Sequence, residues 1–104
     1  MLNIGFEFRK GIFFIRLFGD LNKKTYLSQE KELVDLINYN KFKCIVLNTN
    51  YLKSIDLNGL NYLTKIIYIT EQNDCNIIIC DKFKIIKTLL NNNIPNISNE
   101  SEVL

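Results

Sequence analysis

The fold class is decided by the stretch NIGFEFRKGIFFIRLF, residues 3–18. Over residues 3–9 apolar and polar side chains alternate, which is typical of a half-buried β-strand. Lys10 and Gly11 then predict a tight turn, because glycine supplies the positive φ that hairpin turns need. Residues 12–18 are almost continuously apolar, as expected of a strand covered on both faces. The sequence therefore predicts an antiparallel hairpin at the start of the fold.

Helical and strand patterns alternate along the rest of the chain. Single helices between the strands imply parallel pairing. We therefore predict one domain, residues 1–104, of the α/β class, with a mostly parallel sheet of four to five strands and helices packed against it. After the hairpin, we predict a helix from an N-cap at Thr25 to residue 38 or 40, a strand at 44–47, a loop at 48–56 and a second helix at 58–72. A strand at 75–80 follows, and then a third helix at 82–90, which is capped by Asp81 and ended by residues 91–93. The chain closes with an edge strand at 94–97, limited by Pro95, and a helical turn at 98–104.

The inner faces of two of these helices follow from helical spacing. The first helix is expected to pack on the sheet through Tyr26, Leu33, Leu36 and Ile37. The third helix is expected to do so through Phe83, Ile86 and Leu90.

The composition excludes several kinds of chemistry. The 104 residues contain no histidine, which removes Ser-His-Asp and Cys-His catalysis and histidine-containing metal sites. Thirteen basic and eleven acidic residues leave a net charge of +2, which is too weak by itself to indicate nucleic acid or an anionic membrane. Glycine-rich phosphate-binding motifs are missing. We therefore expect a binding or switching domain that is not an enzyme, with no metal, no cofactor and no nucleic-acid partner.

The three cysteines predict a reducing compartment. Cys44, Cys75 and Cys80 are odd in number and form no C-x-x-C motif. Cys44 and Cys80 lie in apolar runs, where a free cysteine behaves as a small hydrophobic residue. The start of the chain becomes polar too early for a signal peptide, and no apolar run approaches the ~20 residues of a membrane span. We expect a soluble, cytoplasmic protein.

Two polar segments follow predicted strands, where open α/β sheets carry their functional surface. They are GDLNKKT, residues 19–25, and SIDLNGL, residues 54–60. In order and spacing they resemble the motifs of the STAS family, whose best-known members are bacterial anti-sigma factor antagonists. Family members carry Gly-Glu-Leu-Asp-x-x-Thr after the second strand and Asp-Ser-Ser-Gly-Leu at the start of the second helix. The residues that follow these patterns are Gly19, Asp20, Leu21, Asn22 and Thr25 in the first segment, and Ile55, Asp56, Gly59 and Leu60 in the second.

The chain departs from the family at Asn58. In phosphoregulated members, the second serine of Asp-Ser-Ser-Gly-Leu accepts phosphate from a partner kinase, and Asn58 occupies that position, preceded by Leu57. Asparagine has no hydroxyl to phosphorylate and no charge with which to imitate phosphoserine. Asn58 is also a good helix N-cap, an interpretation that requires no partner. The resemblance then implies constitutive partner binding, or regulation by abundance or at another site.

The second helix offers a candidate docking face. Projection at 100° per residue gives a polar stripe flanked by Tyr62 and Ile69, although an ordinary solvated helix face would look the same. Asp20 and Asp56 are expected to end strands and cap backbone donors, because an acid–base or Mg²⁺ pair would require a different arrangement along the chain. The stripe comprises Asn58, Asn61, Thr64, Lys65, Tyr68 and Gln72, opposite the inward Leu60, Leu63, Ile66 and Ile67. The residues predicted to bind a partner are Asp20, Asn22, Asp56, Leu57, Asn58, Asn61, Tyr62, Lys65 and Ile69.

The resemblance implies an anti-sigma factor antagonist of the kind that acts in sporulation or stress responses. Such a protein would bind an anti-sigma factor of the serine kinase type and thereby release a sigma factor. Two alternatives stay open. One is a STAS accessory subunit that stabilises another assembly, such as a lipid-transport ABC ATPase. The other is a thiol phosphocarrier that uses Cys44 or Cys80.

Overall fold

The computed structural model describes residues 1–90 and 93–104. The third predicted helix was expected to end at residues 91–93, and Asn91 and Asn92 lie outside the described residues. The strands are β1 (Leu2–Arg9), β2 (Ile12–Leu21), β3 (Cys44–Asn48), β4 (Leu52–Ile55), β5 (Asn76–Cys80) and β6 (Asn96–Ile97). The helices are α1 (Lys23–Tyr39), α2 (Leu57–Gln72) and α3 (Ile85–Leu90), followed by a 3₁₀ helix at Glu100–Val103.

The sheet has the order β1-β2-β3-β5-β6, with β4 paired to β2 beyond the end of β3. β1 and β2 are antiparallel, and the other pairs are parallel. The hairpin turn has positive φ at both Lys10 and Gly11, 52° and 80°. The predicted α/β class, the mostly parallel sheet and the opening hairpin are therefore confirmed. The described residues form six strands, one more than the upper predicted number.

The additional strand is β4, which corrects the prediction of a loop over residues 48–56. β2 continues to Leu21, three residues further than predicted, and its end pairs with Leu52, Ser54 and Ile55. The segment LKSI lacks clear alternation. It becomes a strand because β3 ends at Asn48 and leaves the end of β2 with an open edge. This extension brings the two motif segments side by side.

α1 and α2 cover one face of the sheet. The predicted inner residues Leu33 and Ile37 are buried, whereas Tyr26 and Leu36 are half-buried. In α3, Ile86 is buried and Leu90 packs against the core, but Phe83 is exposed, so its prediction as a core residue is wrong. The helix begins only at Ile85, because Lys84 adopts a left-handed φ of 57°. The core under the helices includes Phe13, Ile15, Leu17, Ile45, Leu47, Leu63, Ile66, Ile77 and Ile79.

Helix capping differs from the sequence-based expectation at the starts of α1 and α2, and α1 shows the first difference. The N-cap of α1 is Asn22, and the prediction of Thr25 as the N-cap is wrong. The Asn22 side chain accepts from the Thr25 N–H at 3.2 Å, and Thr25 Oγ1 accepts from the Asn22 N–H at 3.0 Å. In this reciprocal capping box Thr25 is the third residue of the helix rather than its N-cap. The Asp81 carboxylate accepts from the N–H groups of Ile85 and Ile86, so it caps α3 as expected, although it lies four residues before the first helical residue instead of next to it.

The C-terminal segment covers the opposite face of the sheet. Phe14, Val46 and Cys80 are buried there beneath partly buried residues that include Ile97 and Val103. Arg16 Nε donates to Glu100 Oε2 at 2.8 Å, and Asn48 Nδ2 donates to the same oxygen at 2.7 Å. The hydrogen bond from Arg16 lowers the pKa of the Glu100 carboxyl, so Glu100 remains charged and holds the predicted final helical turn against the sheet.

Candidate functional site

Residues 19–25 and 54–60 meet at the carboxyl ends of β2 and β4. Leu21 pairs with Ile55, and the Asp56 N–H donates to the Leu21 carbonyl at 3.3 Å. Ser54 Oγ donates to Asp20 Oδ1 at 2.7 Å. The fold thus joins two segments that lie about thirty residues apart in the sequence into one surface.

Gly59 allows α2 to begin against β2. A Cβ atom at this position would lie 2.2 Å from the Leu21 carbonyl oxygen, far inside van der Waals contact. The clash involves backbone, so rotation of a side chain cannot relieve it. The glycine in the second motif is therefore required by the close approach of helix and strand.

Asp56 is the N-cap of α2. Its backbone is extended, with φ −105° and ψ −175°, and its Oδ1 accepts from the Gly59 N–H at 2.8 Å. Asn58 is the second residue of the helix, so its interpretation as an N-cap is wrong. The Asn58 side chain is exposed and has no hydrogen bond within residues 1–90 and 93–104. It is therefore free to contact another molecule.

The two carboxylates of the site have separate partners. The hydrogen bond from Ser54 lowers the pKa of the Asp20 carboxyl, whereas Asp56 caps α2 as predicted. Asp20 lies one residue before the end of β2, and its carboxylate accepts from Ser54 Oγ and from the Met1 amino group rather than from a peptide N–H as expected. The described residues contain no group of three or more cysteine, aspartate or glutamate side chains placed to hold a metal ion. In this arrangement each of the two carboxylates has its own hydrogen-bond donor, Ser54 Oγ for Asp20 and the Gly59 N–H for Asp56.

A shallow cleft lies between the two helix starts, and we call it the two-loop cleft. Leu27 lines this cleft and is largely exposed. Leu57, which lies between the lining residues Asp56 and Asn58 in the sequence, is 71% exposed. Lys23 and Lys24 are exposed and form no ion pair with any part of the chain that the structure describes. Exposed apolar groups beside unpaired lysines suit a small protein–protein interface in which the partner's surface is partly acidic. The lining residues are Asn22, Lys23, Lys24, Leu27, Asp56 and Asn58.

The outer face of α2 continues from this cleft. Its predicted polar stripe is exposed throughout, which confirms that part of the helical projection. Lys65 Nζ forms an ion pair with Glu30 of α1. Ile69 is half-buried and packs against the core, so only part of its side chain reaches solvent. Tyr68, which is 61% exposed, is the aromatic side chain that this face presents.

Tyr62 does not contribute to this surface, and its prediction as a partner-binding residue is wrong. The side chain is only 3% exposed, and its ring stacks on Tyr26 with centroids 4.5 Å apart. Tyr26 belongs to α1, which lies beside this flank of α2 and covers it. The Tyr62 hydroxyl is buried with no hydrogen-bond partner in the described chain, and burial raises its pKa.

The cysteines are free thiols in protected positions. Cys80 is buried, as its apolar surroundings in the sequence predicted, whereas Cys44, for which the same was expected, is only half-buried. Cys75 is also buried. Burial raises the pKa of Cys75 and of Cys80 to about 11, and it also raises the pKa of Cys44. At neutral pH these groups are protonated and therefore poor nucleophiles.

None of the described helices combines the length and apolar character needed to cross a membrane.

Comparisons with known proteins give a result at the level of structure alone. No family model matches the chain, and no curated protein matches its sequence. The anti-sigma factor antagonist SpoIIAA in its unphosphorylated form is 14% identical, with a TM-score of 0.78 over 99% of this chain and 93% of that one. An anti-sigma factor antagonist from Mycobacterium paratuberculosis is 12% identical, with a TM-score of 0.77 over 98% and 90% of the two chains.

A third solved structure extends the same comparison. An uncharacterized protein from Shewanella loihica with a SpoIIAA-like fold is 12% identical, with a TM-score of 0.63 over 97% of this chain and 89% of that one. Sequence identity this low supports a conclusion about the fold alone. The matches to the two antagonists span nearly the full length of both compared chains. The chain therefore has the STAS fold of the anti-sigma factor antagonists.

Proposed function

We propose that this protein is an anti-sigma factor antagonist. In this proposal it binds an anti-sigma factor of the serine kinase type through the two-loop cleft and the outer face of α2, and binding releases a sigma factor. The observation that carries the proposal is the convergence of residues 19–25 and 54–60 at one edge of a STAS fold. Each motif alone is weak, but the fold brings the two together at the same edge of the sheet.

The chemistry of the cleft supports docking rather than catalysis. Leu27 and Leu57 offer exposed apolar surface, and Lys23 and Lys24 offer charge that is not already paired within the described chain. Apolar contact supplies affinity, while the lysines select an acidic partner and speed association. Asn58 also lines the cleft, and its exposed amide is free to hydrogen-bond across an interface.

Asn58 also sets the expected form of regulation. A phosphate at this helix start would add about −1.5 to −2 charge and would oppose docking on an acidic or apolar partner. The asparagine amide cannot accept that phosphate. Binding in this protein is therefore expected to be constitutive with respect to this position.

Affinity capture from native lysate tests the proposal. The immobilised protein is expected to retain an ATP-binding anti-sigma factor, identified by mass spectrometry, and Leu57→Asp is expected to reduce its recovery at least about tenfold. Lys41→Glu is the control, because Lys41 is exposed and does not line the cleft. Recovery of an unrelated assembly, or equal recovery with Leu57→Asp, would contradict the proposal.

A phosphorylation assay tests the regulatory part. Incubation with the captured kinase and ATP is expected to leave the intact mass unchanged, whereas Asn58→Ser is expected to gain about 80 Da on residues 54–60. A gain of the same mass by the unaltered protein on this segment would show that another residue accepts phosphate and that regulation is retained.

The accessory-subunit function is the second candidate, and Asn58 is the observation that favours it. A subunit that stabilises a transport ATPase needs no phosphoacceptor. Capture of an ABC ATPase in place of an anti-sigma factor would support this candidate. The thiol phosphocarrier has no comparable support, because burial raises the pKa of all three thiols.

A further inference from the structure

The turn before α3 and the outer face of α3 carry large apolar side chains in solvent. Phe83 is 76% exposed, Ile85 is 55% exposed and Leu89 is 51% exposed. Ile85 and Leu89 are four residues apart and lie on the same helix face, while Ile86 points into the core. The short helix therefore presents an apolar strip on one exposed flank, next to the exposed Thr88, where a solvated helix would be polar.

The same segment concentrates positive charge. Lys82, Lys84 and Lys87 place three charges within six residues, whereas the net charge of the whole chain is +2. No acidic residue occurs in the sequence between Asp81 and Glu100. The Asp81 side chain is buried, and its carboxylate accepts backbone N–H groups at the start of α3. Across the described chain, none of these three lysines forms an ion pair.

We propose that residues 82–89, which we call the α3 patch, bind the surface of a membrane that contains anionic lipids. The exposed fractions show that the apolar side chains protrude, so they suit insertion among lipid headgroups. The lysine stems can extend beside them and place the ammonium groups at the level of the lipid phosphates. The polar side chains of residues 82–89 are the three lysines and Thr88, whose hydroxyl donates to the Lys84 carbonyl at 2.7 Å.

This proposal is independent of the two-loop cleft. The residues that line that cleft come from the starts of α1 and α2, and none belongs to the α3 patch. With three charges and three apolar side chains, binding is expected to be weak and reversible.

Sedimentation of the full chain with vesicles tests the proposal. The protein is expected to bind vesicles of phosphatidylcholine and phosphatidylserine, to bind phosphatidylcholine alone much less, and to be released by salt. Lys82→Glu with Lys84→Glu is expected to reduce the partition coefficient at least about tenfold, because each surface lysine contributes about fivefold.

The sequence contains a matched control. Lys41-Phe42-Lys43 repeats the tripeptide Lys82-Phe83-Lys84, but Phe42 is half-buried and stacked on Phe13 with centroids 4.2 Å apart. Lys41→Glu with Lys43→Glu makes the same charge change and is expected to reduce binding far less. Equal losses in the two double variants would overturn the proposal, because binding would then follow net charge alone.

Fluorescence supplies a second readout. The chain contains no tryptophan, so Phe83→Trp introduces a single reporter within the α3 patch. Its emission is expected to shift to the blue with phosphatidylserine vesicles, whereas Tyr39→Trp, at a position 81% exposed on α1, is expected not to shift. Absence of both sedimentation and shift would overturn the proposal and would leave an acidic protein segment as the partner to seek.

Discussion

The two faces of α2 differ in burial within the same helical turns, because one packs on the sheet and the other faces solvent. Gly59, Leu63 and Ile66 are buried against the sheet, whereas Asn58 and Lys65 are exposed. The residues that anchor the helix therefore alternate with the residues that are available for docking. Asn58 has a fixed position because its neighbour Gly59 is held against the backbone of β2. If the exposed face is the docking surface proposed above, its residues need little ordering when a partner binds, which favours affinity.

The largest effect on stability is expected at Tyr62, which lies on the buried face of α2. Tyr62→Ala removes a ring that stacks on Tyr26 and leaves a cavity, so it should lower the free energy of unfolding by about 3–5 kcal/mol. Tyr62→Phe should be neutral or slightly stabilising, because the hydroxyl that it removes is buried without a partner. Chemical denaturation measures both changes.

The contrast between these two variants discriminates core from surface. If Tyr62 were part of the docking surface, Tyr62→Ala would weaken partner capture without much loss of stability. A loss of more than about 1 kcal/mol in Tyr62→Phe would instead mean that the hydroxyl has a partner in solution.

Gly59 is expected to give the next largest effect. In Gly59→Ala the new methyl group meets the Leu21 carbonyl, so overpacking should cost up to about 3 kcal/mol, while better helix propensity returns about 1 kcal/mol. The net loss of about 2 kcal/mol should appear in thermal unfolding. Asn61→Ala, two residues along on the exposed face, is the control and should stay within about 0.5 kcal/mol. An unchanged melting temperature in Gly59→Ala would mean that α2 can start further from β2.

Helical periodicity alone predicted most of this division. It placed Leu63, Ile66 and Ile67 inside and Asn61 and Lys65 outside, because a period of 3.6 residues fixes which side chains share a face. It could not place Tyr62, which lies at the boundary between the faces. Which boundary residue is covered depends on where α1 packs, and that is set by contacts distant in sequence.

The same limit explains β4 and the helix caps. Leu52 to Ile55 becomes a strand only because the end of β2 is left open by the end of β3, which local pattern does not reveal. Asn22 and Thr25 are both good capping residues, and the extended backbone of Asn22 decides between them. The two motifs could be identified from sequence, but the contacts that join them, such as that of Ser54 with Asp20, required the fold.

A smaller effect is expected at the N-cap of α2. Asp56→Ala removes the acceptor for the Gly59 N–H and should cost about 1 kcal/mol in the free energy of unfolding. Asn58→Ala, two residues away and without a hydrogen bond in the described chain, should change stability by less than about 0.5 kcal/mol. Equal losses in the free energy of unfolding would show that Asp56 and Asn58 share the capping role. The contrast between a structural and an exposed position would then not hold for this pair.

The smallest change in stability is expected at Lys65. There the informative result is whether the variants of Lys65 and of its ion-pair partner Glu30 change partner binding in opposite directions. Lys65 and Glu30 form an ion pair whose side chains are 49% and 25% exposed, so removing either partner should cost less than about 1 kcal/mol of stability. If Lys65 binds the captured anti-sigma factor, the ammonium group must first leave Glu30. Lys65→Met should then weaken partner binding about two- to fivefold, whereas Glu30→Gln should strengthen it by a similar factor, because it releases the lysine. Isothermal titration with the captured partner measures both. Changes of the same sign would mean that the pair acts only by joining α1 to α2, and this part of the outer face would then belong to the scaffold rather than to the docking surface.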